Sequence, residues 1–275
     1  YGHSFAAWRK ATGAAWQDYV CHGFVTELGS GALPNSAFLH YLVQDYLFLI
    51  HFSRAWALAV TKADDVAEMR ACAATVNALV NDEISLHIRF CAEAGIDEAT
   101  LFSATEETAN LAYTRYVLDA GHSGDFLDLM AALAPCVLGY GEIGARLLAA
   151  GQETAYADWI ETYGGEEYQQ VCRDVGSLID SAVLRRLGDQ PRRCFVASFT
   201  RSDFRCIFAG RRAKGDPTIE IEHIGRAQDD ARRRDSGDPA IRFIGADQRQ
   251  KLSNKIRQTG QANARHREEQ EEQRI

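Results

Sequence analysis

Proline and methionine are scarce in this chain, five and two among 275 residues, and only Pro34 and Pro135 fall within the first 187. With so few rigid breakers, helices must be ended mainly by glycine and polar clusters. Period-2 alternation of apolar and polar residues is hard to find, which argues against half-exposed strands. No two cysteines have the C-x-x-C spacing, no zinc-like cluster occurs, and the seven cysteines form an odd set. Reduced thiols and a cytosolic compartment are therefore expected. No apolar run is expected to span a bilayer, the N-terminal region lacks the features of a signal peptide, and a true start just upstream of Tyr1 is expected.

The net charge of −8 conceals a division of the chain. Residues 1–187 carry 11 basic and 24 acidic side chains, net −13, whereas residues 188–275 carry 19 and 14, net +5. An acidic body repels phosphate backbones and anionic membranes, so neither nucleic acid nor membrane is an expected partner and a small molecule is. The second segment is arginine-rich and weakly periodic, and from Arg265 to Arg274 it is almost wholly charged or amide. It reads as a separate, poorly ordered tail.

Within residues 1–187, apolar residues recur at helical spacing almost throughout, which predicts an all-α bundle of seven helices. The first covers about 4–28 and stops at Gly29-Ser30-Gly31. Pro34 and Ser36 announce the second, about 35–62. Asp64 caps a third, about 65–94, ended by Gly95. A fourth runs over about 104–120 to Gly121. The fifth starts after Asp125, crosses Pro135 and reaches about Ala150. A shorter sixth contains Trp159 and ends at Gly164-Gly165, and a seventh spans about 166–187.

A few residues break this pattern. On the second helix, the stripe Phe38, Leu42, Asp45, Leu49, Phe52 and Trp56 sets a carboxylate in an apolar face. Buried there, Asp45 is either paired internally or kept to hold a polar ligand, because an isolated buried charge costs several kcal/mol. On the fifth helix, Cys136 and Tyr140 stand four apart and share a face. Cys136 is either a small core residue or, beside the helix-breaking Pro135, part of a site. Tyr113, Tyr116, Tyr140, Tyr163 and Tyr168 carry hydroxyls that need partners if buried, and some could line a slot for a flat ring. Glu83 and His87 stand four apart on the third helix, a spacing that serves a helical ion pair or, with Glu142, a metal.

Four stretches, Leu33-Pro34, the run from Tyr41 to Ile50, the run from Ala134 through Pro135 and Cys136 to Glu142, and the run from Trp159 to Gly165, together resemble the TenA, or thiaminase II, family over about residues 4–187. The resemblance implies a haem-oxygenase-like helical bundle without haem, a homotetramer, and no cofactor or metal. It implies hydrolysis of 4-amino-5-aminomethyl-2-methylpyrimidine to the hydroxymethyl compound in thiamin salvage, and cleavage of thiamin. Cys136 would be the nucleophile and Asp45 would hold the aminopyrimidine edge. Tyr113, Tyr140 and Tyr163 would line or polarise the pocket. Phe48 stands where some members have tyrosine, so ring packing is kept and a hydroxyl contact is not. A phenol such as that of Tyr140 would support the thiolate.

The resemblance also implies a catalytic glutamate on a last helix, in a stretch like Glu-x-x-Phe-Trp. Residues 188–220 contain no glutamate before Glu220, and the nearest echo, Arg201 to Phe208, offers only Asp203. A shifted reading frame, or a genuine appended tail, would account for the ending. Two other readings stay open: a pyrimidine-binding relic without its acid, and a di-metal oxidase using Glu83, His87 and Glu142.

Overall fold

The computed structural model describes residues 1–188; the arginine-rich ending, with Asp203 and Glu220, lies outside the described residues. Among the described residues there are eleven α-helices, one π-helical turn and no strand. Their order is α1 (His3–Thr12), α2 (Ala14–Val20), α3 (Gly23–Ser30), α4 (Asn35–Lys62), α5 (Val66–Ala78), a π-turn (Leu79–Glu83), α6 (Ile84–Glu93), α7 (Glu98–Ser103), α8 (Thr108–Ser123), α9 (Phe126–Ala150), α10 (Ala157–Gly164) and α11 (Glu166–Leu187).

The expected single helix over 4–28 is three. Gly13 adopts φ +59°, a left-handed turn that breaks the first helix. A second break falls at Cys21-His22, where the His22 ring accepts from the Phe24 N–H and caps α3. Asp65, not Asp64, caps α5, through its side chain to the Glu68 N–H. The helix ahead of Asp125 runs through Gly121 to Ser123, because Gly121 serves close packing: a Cβ there would meet the Leu58 side chain at 2.6 Å. Asp125 and Asp128 then form a reciprocal capping box that starts α9.

The core is organised around α9, which packs against α2, α4, α8, α10 and α11. This helix is long and apolar enough to cross a membrane, which corrects the expectation that no such segment exists; nearly all of it is buried inside the bundle, as in a core helix. Pro135 cannot donate to the carbonyl four residues back, and this stretch of backbone is braced by neighbouring phenols. Tyr113 donates to the Ala132 carbonyl, Tyr19 to that of Pro135 and Tyr168 to that of Val137, at 3.0, 3.2 and 3.3 Å. Helix α10 approaches α9 backbone to backbone: a Cβ on Gly164 would lie 2.5 Å from the Gly144 carbonyl oxygen. Only glycine permits that crossing, and it seats Trp159 and Tyr163 against Tyr140.

Helix α11 closes the bundle through charge at two places. Asp180 accepts from the His3 and Ser4 N–H groups, both at 2.8 Å, and so caps α1. Glu68, only 1% exposed, takes Arg186 in a two-pronged contact at 2.6 and 2.7 Å, with Arg185 at 3.5 Å. The guanidinium holds the Glu68 carboxyl below its usual range. Removing a buried partner strands the opposite charge, so Glu68→Ala is expected to cost about 3 kcal/mol, a fall of roughly 6–12 °C in Tm. Because the folded carboxyl binds its proton less tightly than the unfolded one, this contribution is present above the ordinary glutamate range and lost as pH falls through the folded value. Thermal melts of wild type and variant at neutral and acidic pH check it; equal Tm at neutral pH would contradict it.

Candidate active site

On α4, Tyr41, Asp45, Phe48 and Phe52 advance by four, three and four residues and share one face. Asp45 is buried, and its Oδ2 accepts from the Tyr41 hydroxyl at 3.1 Å and meets His87 Nε2 at 2.7 Å. The other imidazole nitrogen lies 3.0 Å from the backbone carbonyl of Glu83. Both ring nitrogens thus face acceptors, which suits the doubly protonated imidazolium. Burial alone would lower the His87 pKa, but the Asp45 carboxylate outweighs it and lifts the group to about 9. His87 therefore pairs with Asp45, and the expected side-chain pairing of Glu83 with His87 on one helix is not formed.

On α9, the Cys136 thiol donates to the Tyr113 hydroxyl at 3.2 Å, while that hydroxyl donates to the Ala132 carbonyl. Tyr113, from α8, is therefore the phenol at the sulfur. Tyr140 instead reaches the Tyr41 hydroxyl at 3.3 Å. Burial pushes the Cys136 thiol well above its usual range, opposed by Tyr113 and reinforced by the carboxylates of Asp45 and Glu83. The resting group is a neutral thiol. Phe48 stacks on Tyr113, centroids 6.0 Å apart and planes 19° from parallel, so its ring packing is present as expected.

Helix α10 supplies the third wall. Trp159 Nε1 donates to the Tyr41 hydroxyl at 3.4 Å, and Tyr163 donates to Glu83 Oε1 at the same distance. Burial raises the Glu83 carboxyl to about 7. Contacts join these groups across the bundle. Cys136 reaches the face of α4 through Tyr113, which stacks on Phe48, and Tyr140 and Trp159 reach it through the Tyr41 hydroxyl that bonds Asp45. Side chains from α4, α6, α8, α9 and α10 thus form one connected cluster of buried polar and aromatic groups.

Glu142 does not join them. It binds Arg9 at 2.5 and 2.7 Å and the Trp16 indole at 3.0 Å, on the side of α1 and α2. Among the described residues, no three His, Cys, Asp or Glu side chains converge closely enough to hold a metal, so the donor set proposed for a di-metal centre is not assembled. Tyr41 is the residue that pattern reading passed over. It bonds Asp45 and joins Tyr140 to Trp159, and its only signal was its place one helical turn before a buried aspartate.

Fold and site together define an all-helical protein with a buried thiol and a buried carboxylate set among aromatic rings. The chain belongs to the TENA/THI-4/PQQC family, whose sequence model matches residues 9–208, past Leu187 and further than the motifs alone carry the likeness. It is 34% identical over 182 residues to the aminopyrimidine aminohydrolase of Halalkalibacterium halodurans, covering 64% of this chain and 81% of that protein. The aminopyrimidine aminohydrolase of Helicobacter pylori is 31% identical over 196 residues, 70% of this chain and 90% of its own. A crystal structure of a TenA family transcription regulator from Silicibacter sp. TM1040 matches with a TM-score of 0.73 and 52% identity, covering 76% of this chain and 95% of that one.

The ion pair gives a measurable sign. His87 is expected to stay protonated through pH 8 and to titrate near 9, so the stability it adds is full below the unfolded value and lost as pH rises through 9. In Asp45→Asn, burial remains without its counter-charge, and the imidazole should titrate below 6.5. Nitrogen-15 NMR of the histidine rings reads both; an unchanged His87 titration in the variant would contradict the pairing.

Proposed function

We propose that the chain is an aminopyrimidine aminohydrolase that converts 4-amino-5-aminomethyl-2-methylpyrimidine to the hydroxymethyl compound and acts in thiamin salvage. The observation that carries this reading is the contact network that joins Asp45 to Tyr140 through Tyr41, and Cys136 through Tyr113 to Phe48 on the same face of α4. A sulfur nucleophile and a carboxylate among flat rings is the chemistry that a nitrogen-rich aromatic substrate requires. The relatives from Halalkalibacterium and Helicobacter, described as aminopyrimidine aminohydrolases, support the same substrate class.

Each residue then has a role. Both described hydrogen bonds to Asp45 fall on Oδ2, so Oδ1 keeps its lone pairs for the amino edge of the pyrimidine. The contact with His87 holds that carboxylate in place. Phe48, Tyr113, Tyr140 and Tyr163 flank the ring. The Cys136 sulfur adds to a ring carbon beside the one that bears the aminomethyl group. Ring electrons then expel the amine, water adds to the exocyclic methylene, and the sulfur leaves. A neutral thiol becomes nucleophilic only when its proton is removed. Tyr113 is placed to stabilise the thiolate, because its hydroxyl can turn from the Ala132 carbonyl to donate to sulfur.

The Silicibacter relative is described as a transcription regulator, but a body carrying net −13 over residues 1–187 sets up a field that opposes a phosphate backbone. Cys136→Ala removes the sulfur and little volume. It is expected to abolish ammonia release from the aminomethyl pyrimidine, a loss of roughly 1,000-fold or more, with a Tm close to wild type. Steady-state ammonia release by the purified proteins tests this, and a variant as fast as wild type would end the thiol mechanism.

A further inference from the structure

An amine on a methylene is a poor leaving group, and expelling it demands a proton at nitrogen as the bond breaks. Asp45 is committed to His87 and Tyr41, and the Cys136 sulfur has to form the bond to the ring. The phenols of the site are all raised above their ordinary range by burial, which makes them weak acids. Among the described residues, one further carboxyl touches this cluster, that of Glu83, through the Tyr163 hydroxyl.

Glu83 closes the π-helical turn between α5 and α6. Such a turn holds one extra residue and shifts the faces of the helix that follows, and it often occurs where a side chain is aimed at a site. Here His87, one turn later, points both ring nitrogens elsewhere, one to Asp45 and one to the backbone carbonyl of Glu83. The Glu83 carboxyl therefore has no ion pair among the described residues. Its described hydrogen bond is the long one from Tyr163, on Oε1. The side chain is only partly buried, and no described hydrogen bond falls on its Oε2. The groups that face it are His87 on α6, Asp45 on α4, Tyr163 on α10 and Tyr168 on α11, and its charge also reaches Cys136 on α9.

We propose that Glu83 is the acid that hands its proton to the departing nitrogen, an assignment that rests on the aminohydrolase reading. The thiol gives up its proton to solvent, and the thiolate, stabilised by the Tyr113 hydroxyl, forms a carbon–sulfur bond to the ring. The pair of electrons released through the ring breaks the methylene–nitrogen bond, and nitrogen takes the Glu83 proton and departs as ammonia. Water then adds its oxygen to the exocyclic methylene and gives a proton back to Glu83. The ring expels the sulfur, which is reprotonated from solvent, and the sum is amine plus water to alcohol plus ammonia. A carboxyl raised to about 7 by burial can give up and recover a proton at neutral pH, as this cycle requires.

The test is Glu83→Gln, which keeps shape and the Tyr163 contact but carries no acidic proton, beside Glu83→Asp, which keeps the acid on a shorter arm. Three quantities are measured on each full-length protein: Tm, the Kd for the hydroxymethyl pyrimidine product, and kcat for ammonia release. The expected result is a kcat lowered roughly 100-fold or more in Glu83→Gln, with Kd within about threefold of wild type, and partial recovery in Glu83→Asp. Wild-type kcat in Glu83→Gln would overturn the assignment. So would parallel losses of binding, Tm and rate in both variants, which would mark Glu83 as a structural residue. A wild-type protein that releases no ammonia at all would instead defeat the aminohydrolase reading, and this inference with it.

Discussion

The contact between Asp45 and His87, 2.7 Å across the gap between α4 and α6, is the interaction on which the site depends. Two charges buried so deeply are tolerable only together, and either alone would cost several kcal/mol. Their pairing pins the middle of α4 to α6 and orients Tyr41, which in turn bonds Tyr140 and Trp159. It also decides what remains free. Because His87 is turned toward α4, Glu83 makes no close ion pair among the described residues, and because both described bonds fall on one oxygen of Asp45, the other oxygen is available. A single ion pair thus separates the groups that hold the architecture from those open to a ligand.

The second constraint is the backbone of α9. A proline in the middle of a buried helix is a liability in packing terms, yet three phenols from three other helices bond to carbonyls around it. Tyr113 does so while also accepting from the Cys136 thiol, so the brace for the helix and the partner for the nucleophile are one hydroxyl. The glycine crossing of α9 with α10 brings Tyr163 close enough to reach both Tyr140 and Glu83. Packing and chemistry are hard to separate here, since the side chains that fill the core also bond the candidate site residues.

Much of this was readable from sequence where local signals are strong. The second, fifth and seventh expected helices match α4, α9 and α11 almost to the residue, because Pro34, the Asp125 cap and Gly165 mark their starts. The burial of Asp45 followed from one carboxylate in an apolar stripe, and that of Cys136 from its face on α9. The misses also have physical causes. Gly13 adopts a left-handed turn in one place while Gly121 packs against Leu58 inside a helix in another, and only the tertiary neighbours distinguish these uses. The six-residue α7 is too short to show periodicity, and a π-turn leaves no mark in composition. Above all, the spacing of Glu83 and His87 favours a local pair, whereas the true partner of His87 lies 42 residues away in the chain. The aromatic wall came mainly from family resemblance, since buried tyrosines of core and of site look alike in sequence.

The central claim is that Asp45 and Cys136 address one flat ring. A crystal structure of the protein with the hydroxymethyl pyrimidine product bound would test it most directly. The account predicts the ring between Phe48 and Tyr140, with Asp45 Oδ1 within hydrogen-bond distance of the amino edge and Cys136 Sγ in van der Waals contact with a ring carbon. A ring bound elsewhere, or one touching Asp45 with the sulfur turned away behind intervening side chains, would contradict it.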